Sequence, residues 1–179
     1  MILDAGHSLM AEVGFARFSA REVAKRVGYS VGTIYNLFGS YDRLVLAINT
    51  RTFGLWAAHL RARLEAAGKD RIAALVRGYF DFARAQPQLW MAIYDHRLPA
   101  GMAMPATDQA ARGELTTIVA AEVARALGTE AGVAGLTRSL VATVHGHCHF
   151  ALTGAFALMG EDDPEGAALA RVREALAAR

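Results

Sequence analysis

Residues 28–44, GYSVGTIYNLFGSYDRL, concentrate hydroxyl, phenol and amide groups on a short piece of chain. The groups belong to Ser30, Thr33, Tyr35, Asn36, Ser40 and Tyr41. Side chains of these types bind phosphate oxygens and base edges through hydrogen bonds. The two serines can also cap short helices, whose free N–H groups are natural phosphate sites. The segment therefore indicates a binding surface for a polar, negatively charged partner.

A second cluster, HGHCHF at residues 145–150, has side chains that can bind a metal. On a helix His145 and His149 lie one turn apart, a spacing that can hold zinc or copper, with Cys148 beside them. His147 points away, and no neighbouring Asp or Glu completes a ligand set. Packing in a core or a dimer interface is the favoured interpretation. No metal is predicted, and His145, Cys148 and His149 are only weak candidates.

Motifs for catalysis are absent from the sequence. It has no G-x-S-x-G turn, P-loop or H-E-x-x-H motif, and no paired catalytic carboxylates. Cys148 is the one reactive-looking group, and its expected place in a buried helix argues against a thiolate. We therefore predict no catalytic residue, no enzyme activity and no cofactor. A helical enzyme that uses Cys148 is the alternative from another functional class.

The composition favours an all-α protein. Of the 179 residues, 54% are hydrophobic, many of them alanine, and only four are proline. The single cysteine excludes a disulfide within the chain. No apolar run approaches the ~20 residues that cross a bilayer, and the first residues lack the pattern of a signal peptide. We expect a soluble, cytoplasmic protein without a membrane partner. Its net charge of +2 neither requires nor excludes nucleic acid.

Apolar periodicity and capping residues predict about nine helices. They cover residues 2–13, 20–27, 31–38, 41–67, 71–85, 87–94, 107–127, 130–159 and 164–178, with a loop at 98–106. Ser19 and Glu22 have the spacing of a capping box. In the third helix the predicted buried positions are Ile34, Leu37 and Phe38. The helix at 130–159 is apolar on more than one side, which predicts burial, including burial by a second subunit.

The three short capped helices have the layout of a helix-turn-helix, whose second helix enters the DNA major groove. The stretch GFARFSAREVAKRVGYSVGTIYNLFGSYDRLVLAI, residues 14–48, resembles the DNA-binding domain of the tetracycline-repressor (TetR) family. Its G-x-S-x-G-T-Ile-Tyr segment, the following Phe and the Ser-x-x-x-Leu start of helix four carry the likeness. The resemblance implies a helix-turn-helix DNA-binding domain at residues 1–46. A long helix four would join it to a helical ligand-binding and dimerisation domain at residues 47–179.

The resemblance also assigns DNA contacts by position. They are Ser19, Arg21, Ser30, Gly32, Thr33, Tyr35, Asn36, Ser40 and Tyr41. Ser19 and Arg21 would contact phosphate at the start of helix two, and helix three would line the groove. Ser40 and Tyr41 would bind the flanking phosphate. Gly32 would let the start of helix three approach the DNA closely.

Some positions depart from the family pattern. Val31 and Tyr41 stand where relatives often have lysine, and the chain begins at helix one without the basic arm that many relatives carry. In residues 1–50, five basic side chains (Arg17, Arg21, Lys25, Arg26, Arg43) face four acidic ones (Asp4, Glu12, Glu22, Asp42). We therefore expect weak electrostatic attraction to DNA and a shallow dependence of affinity on salt.

A ligand pocket is predicted from aromatic and imidazole side chains in the second part of the chain. They are Trp56, Phe80, Trp90, Tyr94, His145 and His149. Their bulk, with the Pro-rich loop at 98–106 as a lid, suits a small-molecule site, although such aromatics are also ordinary core residues. The stretch TVHGHCHFAL loosely resembles a Trp-His-Gly motif of one TetR subfamily, with Thr143 at the tryptophan position.

The resemblance and the residues together predict a homodimeric, ligand-responsive repressor on a near-palindromic DNA operator. The dimer would form through the helices at about 130–159 and 164–178. A second hypothesis keeps this fold but makes the effector a metal ion bound by His145, Cys148 and His149. A dimerisation module that has lost DNA binding is a further alternative, because the expected basic residues are missing.

Overall fold

The computed structural model describes residues 1–179, and all its regular structure is helical. The ten α-helices are α1 (Ile2–Val13), α2 (Ala20–Val27), α3 (Val31–Phe38), α4 (Tyr41–Glu65), α5 (Arg71–Ala85), α6 (Pro87–Asp95), α7 (Ala106–Leu127), α8 (Val133–Thr153), α9 (Ala155–Met159) and α10 (Pro164–Ala177). A single 3-10 turn covers Phe15–Arg17. The all-α prediction is confirmed. None of the helices combines the length and hydrophobicity needed to cross a bilayer.

The tenth helix comes from one glycine. The sequence predicts a single helix at 130–159, and the structure divides it into α8 and α9. Gly154 separates them with a φ of +80°, a left-handed conformation that ends the helical hydrogen-bond pattern. The predicted helix therefore starts three residues before α8, which begins at Val133, and misses the break at Gly154.

Two compact units make up the chain. The first contains residues 1–55 and 86–112, and the second contains residues 56–85 and 113–179. The division falls between Leu55 and Trp56, within the continuous helix α4. These units are defined by how compactly the chain packs. The predicted boundary between the DNA-binding domain and the ligand-binding domain, at residues 46 and 47, stays a prediction.

The first unit is built around a core from α1, α2, α3, α4 and α6. Its buried side chains include Leu9, Met10, Val23, Ile34 and Ile48. Helix α6 is tied to α4 at two points. The side-chain amide of Asn49 donates to the Ala92 carbonyl oxygen at 3.0 Å. His96 Nε2 lies 3.1 Å from Asp42 Oδ1, at the first turn of α4.

The second unit packs α8 against α5 and α10. Trp56 is completely buried there, stacked on Phe82 with 5.2 Å between ring centroids. The buried Glu122 of α7 accepts two hydrogen bonds, of 2.7 and 2.8 Å, from the Arg71 guanidinium of α5. A buried carboxylate needs such a partner, because desolvation without one is costly. This ion pair therefore fixes α5 against α7.

Candidate nucleic-acid interface

Capping serines set the start of two of the helices in the polar segment. Ser30 Oγ accepts a hydrogen bond from the backbone N–H of Thr33 at 3.1 Å. Ser40 Oγ accepts one from the N–H of Arg43 at 3.2 Å. Each bond satisfies an N–H group that has no partner within its helix. The predicted caps at α3 and α4 are confirmed.

The predicted capping box at α2 is wrong. Ser19 occupies the N-cap position, but its side chain makes no capping hydrogen bond. Glu22 instead lies 3.8 Å from the Arg26 guanidinium one turn later on α2. The ion pair at i and i+4 competes for the carboxylate that the capping box needs. The Ser19 hydroxyl is therefore not used by a cap.

Helix α2 ends at a glycine that turns the chain into α3. Gly28 has a φ of +74°, in the left-handed region, and its N–H bonds back to the last turn of α2. The N–H of Tyr29 also returns to the Ala24 carbonyl oxygen at 2.9 Å. This turn is a helix C-cap that other residues adopt only with strain. It aligns α2 and α3 as the two helices of a helix-turn-helix.

Helix α3 buries only a narrow face. Ile34 is completely buried in the core of the first unit, and Phe38 is half-buried against it. Tyr35 and Asn36 are exposed. The prediction that Leu37 is buried is wrong, because 66% of its surface is exposed. A two-turn helix has room for few core contacts, and the face around Ile34 supplies them.

Four of the predicted DNA contacts surround one groove. Ser19, Arg21, Tyr35 and Tyr41 line a depression of about 340 Å³, together with Phe18, Ala20 and Val31. The groove thus collects side chains from α2, from α3 and from the start of α4. The other predicted contacts are Ser30, Gly32, Thr33, Asn36 and Ser40, which lie on α3 or at the caps of α3 and α4.

Tyr41 has a structural contact as well as a place in the groove. Its ring lies 5.9 Å from the Phe18 ring, and its hydroxyl is 3.5 Å from the Phe18 carbonyl oxygen. Burial, followed by the nearby Asp42 carboxylate and the Tyr35 phenol, raises the pKa of Tyr41. The phenol is therefore protonated at neutral pH and can donate a hydrogen bond to a phosphate oxygen.

Carboxylates bind two of the arginines of the first unit, Arg26 and Arg51. The Arg26 guanidinium donates two hydrogen bonds to the Glu12 carboxylate, at 2.8 and 2.7 Å. Arg51 is paired with Asp4, whose pKa is lowered to about 2 by hydrogen bonds to the chain's N-terminal ammonium and to Arg51. Arg21 is exposed and makes no ion pair. It is therefore the best-placed cation of the groove.

Gly32 is not required by the packing of the chain. A Cβ atom built at this position would meet only Ser30 Oγ, at 3.5 Å, an ordinary van der Waals distance. Glycine inside a helix costs about 1 kcal/mol relative to alanine. The packing of the chain therefore does not explain this glycine, and its role in close approach to DNA stays a prediction.

Comparison with known proteins agrees with this geometry. Residues 72–176 match the tetracyclin repressor-like, C-terminal domain family. Residues 2–48 match the tetR family of bacterial regulatory proteins. The chain belongs to the TetR family of DNA-binding transcription regulators. Membership of the subfamily with the Trp-His-Gly motif stays a prediction. A search of curated proteins found no match.

Solved structures share this TetR fold. A protein of unknown function from Rhodococcus sp. RHA1 is 22% identical with a TM-score of 0.77, over 99% of this chain and 92% of that chain. The putative regulatory protein SCO4313 is 23% identical with a TM-score of 0.74, over 96% and 92%. The multidrug binding protein EbrR, complexed with imidazole, is 21% identical with a TM-score of 0.66, over 97% and 92%. Likeness at these identities shows the fold alone.

The predicted pocket residues of this TetR-family chain fall in both compact units. Trp56, Phe80, His145 and His149 belong to the second unit, and Trp90 and Tyr94 belong to the first. In the second unit His145 Nδ1 lies 3.0 Å from the Tyr79 hydroxyl, and its ring is 5.9 Å from that of His149. Burial, and then the neighbouring His149, lower the pKa of His145. In the first unit the Trp90 and Tyr94 rings are 5.1 Å apart.

The second unit contains an apolar cavity of about 40 Å³. It is lined by Leu60, Ile72, Leu75, Val76, Tyr79, Val119, Val123, Leu140, Val141, Val144 and Val172. None of the six predicted pocket residues is among them. Sequence reasoning missed this cavity because aliphatic residues at helical spacing look the same whether they fill a core or surround a void.

The HGHCHF cluster does not form a metal site in the structure. No group of three or more His, Cys, Asp or Glu side chains is arranged to hold a metal ion. Cys148 is completely buried, and burial raises the pKa of its thiol to about 12. His147 instead bonds through Nδ1 to the Thr143 carbonyl oxygen at 2.8 Å. The hypothesis of a metal effector at His145, Cys148 and His149 therefore loses its support.

Proposed function

We propose that this chain is a homodimeric repressor that binds a near-palindromic operator and is released from it by a small molecule. The groove lined by Ser19, Arg21, Tyr35 and Tyr41 carries the DNA-binding part of the proposal. Hydroxyl and guanidinium groups converge there at the starts of α2 and α4, as phosphate binding requires. Exposed Tyr35 and Asn36 on α3 supply groups for the base edges.

Exposed apolar side chains support the homodimer. Phe150 on α8 and Leu158 and Met159 on α9 are 44%, 92% and 66% exposed. Large neighbouring apolar residues on a surface mark interaction sites in soluble proteins. They lie in the segment 130–159 that the sequence assigns to the dimer. A symmetric dimer would place two copies of α3 on two half-sites about one helical turn of DNA apart.

The apolar cavity of the second unit supports response to a small molecule. Its wall includes Leu60 of α4, the same continuous helix that begins at Tyr41 beside the DNA groove. A ligand that binds one arrangement of α4 more tightly would shift the population toward it and change the affinity for the operator. EbrR, a multidrug binding protein with the same fold, makes small-molecule binding a reasonable expectation.

The DNA-binding proposal is tested by selection from random duplexes at low salt. Enrichment of a two-fold-symmetric site is expected. Tyr35→Ala should then weaken binding to the selected duplex by tenfold or more, about the effect of one good base contact. Tyr94→Ala, which removes an equally exposed tyrosine outside the predicted DNA contacts, is the matched control. No enriched site, or equal losses in the two variants, would contradict the proposal.

Dimerisation is tested by sedimentation velocity. Leu158→Asp should convert the dimer into monomers, because it places a charge in an apolar interface. Leu55→Asp, on an exposed face of α4, should leave the dimer intact. A wild-type chain that sediments as a monomer at micromolar concentration would refute the homodimer.

The effector site is tested with a library of small apolar compounds that release the selected duplex. Val144→Leu fills part of the cavity and should abolish the response to any active compound. Val133→Leu adds the same atoms on α8 outside the cavity wall and should preserve it. A response that survives Val144→Leu would move the effector site elsewhere in the chain.

A further inference from the structure

Leu37 is the most exposed apolar side chain of the helix-turn-helix segment, residues 19–44. Its exposed fraction of 66% exceeds the 40% of Tyr35 on the same helix. A single exposed leucine is ordinary on a protein surface and by itself needs no explanation. Its position on α3 is what gives the exposure a meaning.

The helical spacing places Leu37 on the DNA-facing surface. Leu37 follows Thr33 by four residues, so the two side chains lie on the same face, one turn apart. Asn36, the adjacent residue, is exposed too. Leu37 is therefore continuous with the surface formed by Thr33 and Asn36.

Thr33 contributes apolar surface to the same face. Its hydroxyl lies 3.0 Å from Ser30 Oγ, so it is already hydrogen-bonded within the cap of α3. The methyl group of Thr33 is therefore the part of the side chain that is left to contact DNA. Thr33 and Leu37 together thus form an apolar strip on a helix whose neighbouring exposed side chains are polar.

The major groove offers one apolar group to such a strip. Base edges there present hydrogen-bond donors and acceptors, except for the C5-methyl of thymine. Leucine has no donor for a phosphate and no group for a polar base edge. Burial of Leu37 against a guanine, cytosine or adenine edge would cover polar groups without satisfying them.

We propose that Leu37 determines specificity by packing against the C5-methyl of a thymine, at one position in each half-site of the operator. The inference rests on the proposed binding of α3 in the major groove. It goes further by naming the base that this side chain selects and the atom through which the base is recognised. Contact with a deoxyribose would bury the same leucine without selecting a base, and the test separates the two.

The experiment replaces thymines with uracils in the selected duplex, one symmetry-related pair at a time. Uracil lacks the methyl group and keeps the hydrogen-bonding groups of thymine. At one pair of positions, wild-type affinity measured by fluorescence anisotropy should fall about fourfold for each half-site, the effect of one buried methyl group. Leu37→Ala should bind the thymine and uracil forms of that pair equally. Leu37→Met, which retains an apolar side chain of similar size, should keep most of the discrimination.

The controls separate a folding defect from a change in recognition. Leu37 is exposed, so Leu37→Ala should unfold at nearly the wild-type temperature. If uracil at one pair of positions weakens binding equally for wild type and for Leu37→Ala, that thymine methyl contacts another group, such as the methyl of Thr33. The required signature is a coupling between the leucine and one thymine methyl in a double-mutant cycle.

Two results would overturn the inference, and they differ in what else they remove. A selected duplex that wild type binds tightly, with no uracil effect that depends on Leu37, would refute the thymine contact and leave DNA binding intact. Failure to select any duplex would remove the operator-binding proposal together with this inference.

Discussion

The DNA-contact segment and the helices around the apolar cavity are fixed by different kinds of interaction. Residues 19–44 bury a few side chains in the core of the first unit and are otherwise fixed by local contacts, such as the Ser30 and Ser40 caps and the left-handed Gly28. The second unit relies on contacts between distant residues, including the Arg71–Glu122 ion pair and the stack of Trp56 on Phe82. The first region therefore leaves most side chains of α3 free for a partner, while the second uses its side chains to make a core.

This difference predicts opposite responses to mutation in the two regions. Substitutions in the second unit should change stability strongly. Substitutions on the exposed surface of α3 should change DNA binding and leave stability nearly constant. A side chain can contact a partner only if it is exposed and is not packed in the core.

The largest effect is expected for Trp56→Ala. Trp56 is completely buried, stacked on Phe82 and edge-on to Tyr79 with 4.7 Å between centroids. Its truncation should lower the free energy of unfolding by about 3–5 kcal/mol, measured by urea denaturation. Asn36→Ala, on the exposed face of α3, should change it by no more than about 0.5 kcal/mol. Similar losses in the two variants would break the comparison.

A comparably large effect is expected in the reactivity of Cys148. The pKa of its thiol is raised to about 12 by burial. At pH 8 its thiolate fraction should thus be about a thousandfold below that of an ordinary thiol, since each pKa unit is a factor of ten. Alkylation by iodoacetamide should accordingly be slow in the native protein and fast in urea. Rapid alkylation of the native protein would show that solvent reaches Cys148. It would then support the alternative hypothesis of an enzyme that uses this cysteine.

A smaller effect should separate the two arginines of α2. Arg21 lines the DNA groove, whereas Arg26 is bound by Glu12 and Glu22. Arg21→Ala should reduce the slope of log affinity against log salt by about 0.9, the change for one lost phosphate contact. Arg26→Ala should leave the slope nearly unchanged. The measurement is anisotropy with the selected duplex over a salt series. A larger change in slope for Arg26→Ala than for Arg21→Ala would refute the assignment of Arg21 as the phosphate-binding cation of the groove.

The smallest effect is a pair of changes with opposite signs at Gly32. Gly32→Ala should raise the free energy of unfolding by about 0.5–1 kcal/mol, because alanine favours a helix and the site has room for its Cβ. The same variant should bind the selected duplex more weakly, because the methyl group holds α3 away from the DNA. Gly113→Ala, at an exposed position of α7 with nothing within 4 Å of its Cβ, is the matched control. It should gain stability without losing affinity. Unchanged affinity in Gly32→Ala would remove the proposed role of Gly32.

Local signals in the sequence determined much of the fold. Ser30 and Ser40 mark two helix starts that the structure confirms. Helix α5 spans residues 71–85 as its apolar periodicity predicts. These features depend on residues within one or two turns of each other, so the sequence contains the information needed to find them.

Only the tertiary structure decided which apolar side chains are buried and where space remains. Leu37 and Ile34 look equivalent in the sequence, but the core of the first unit reaches Ile34 and leaves Leu37 exposed. The cavity of the second unit is lined by Tyr79 and by aliphatic residues from five helices, and none of them differs in type from a core residue. Burial depends on what other segments place opposite a side chain, and the local pattern of a helix does not contain that information.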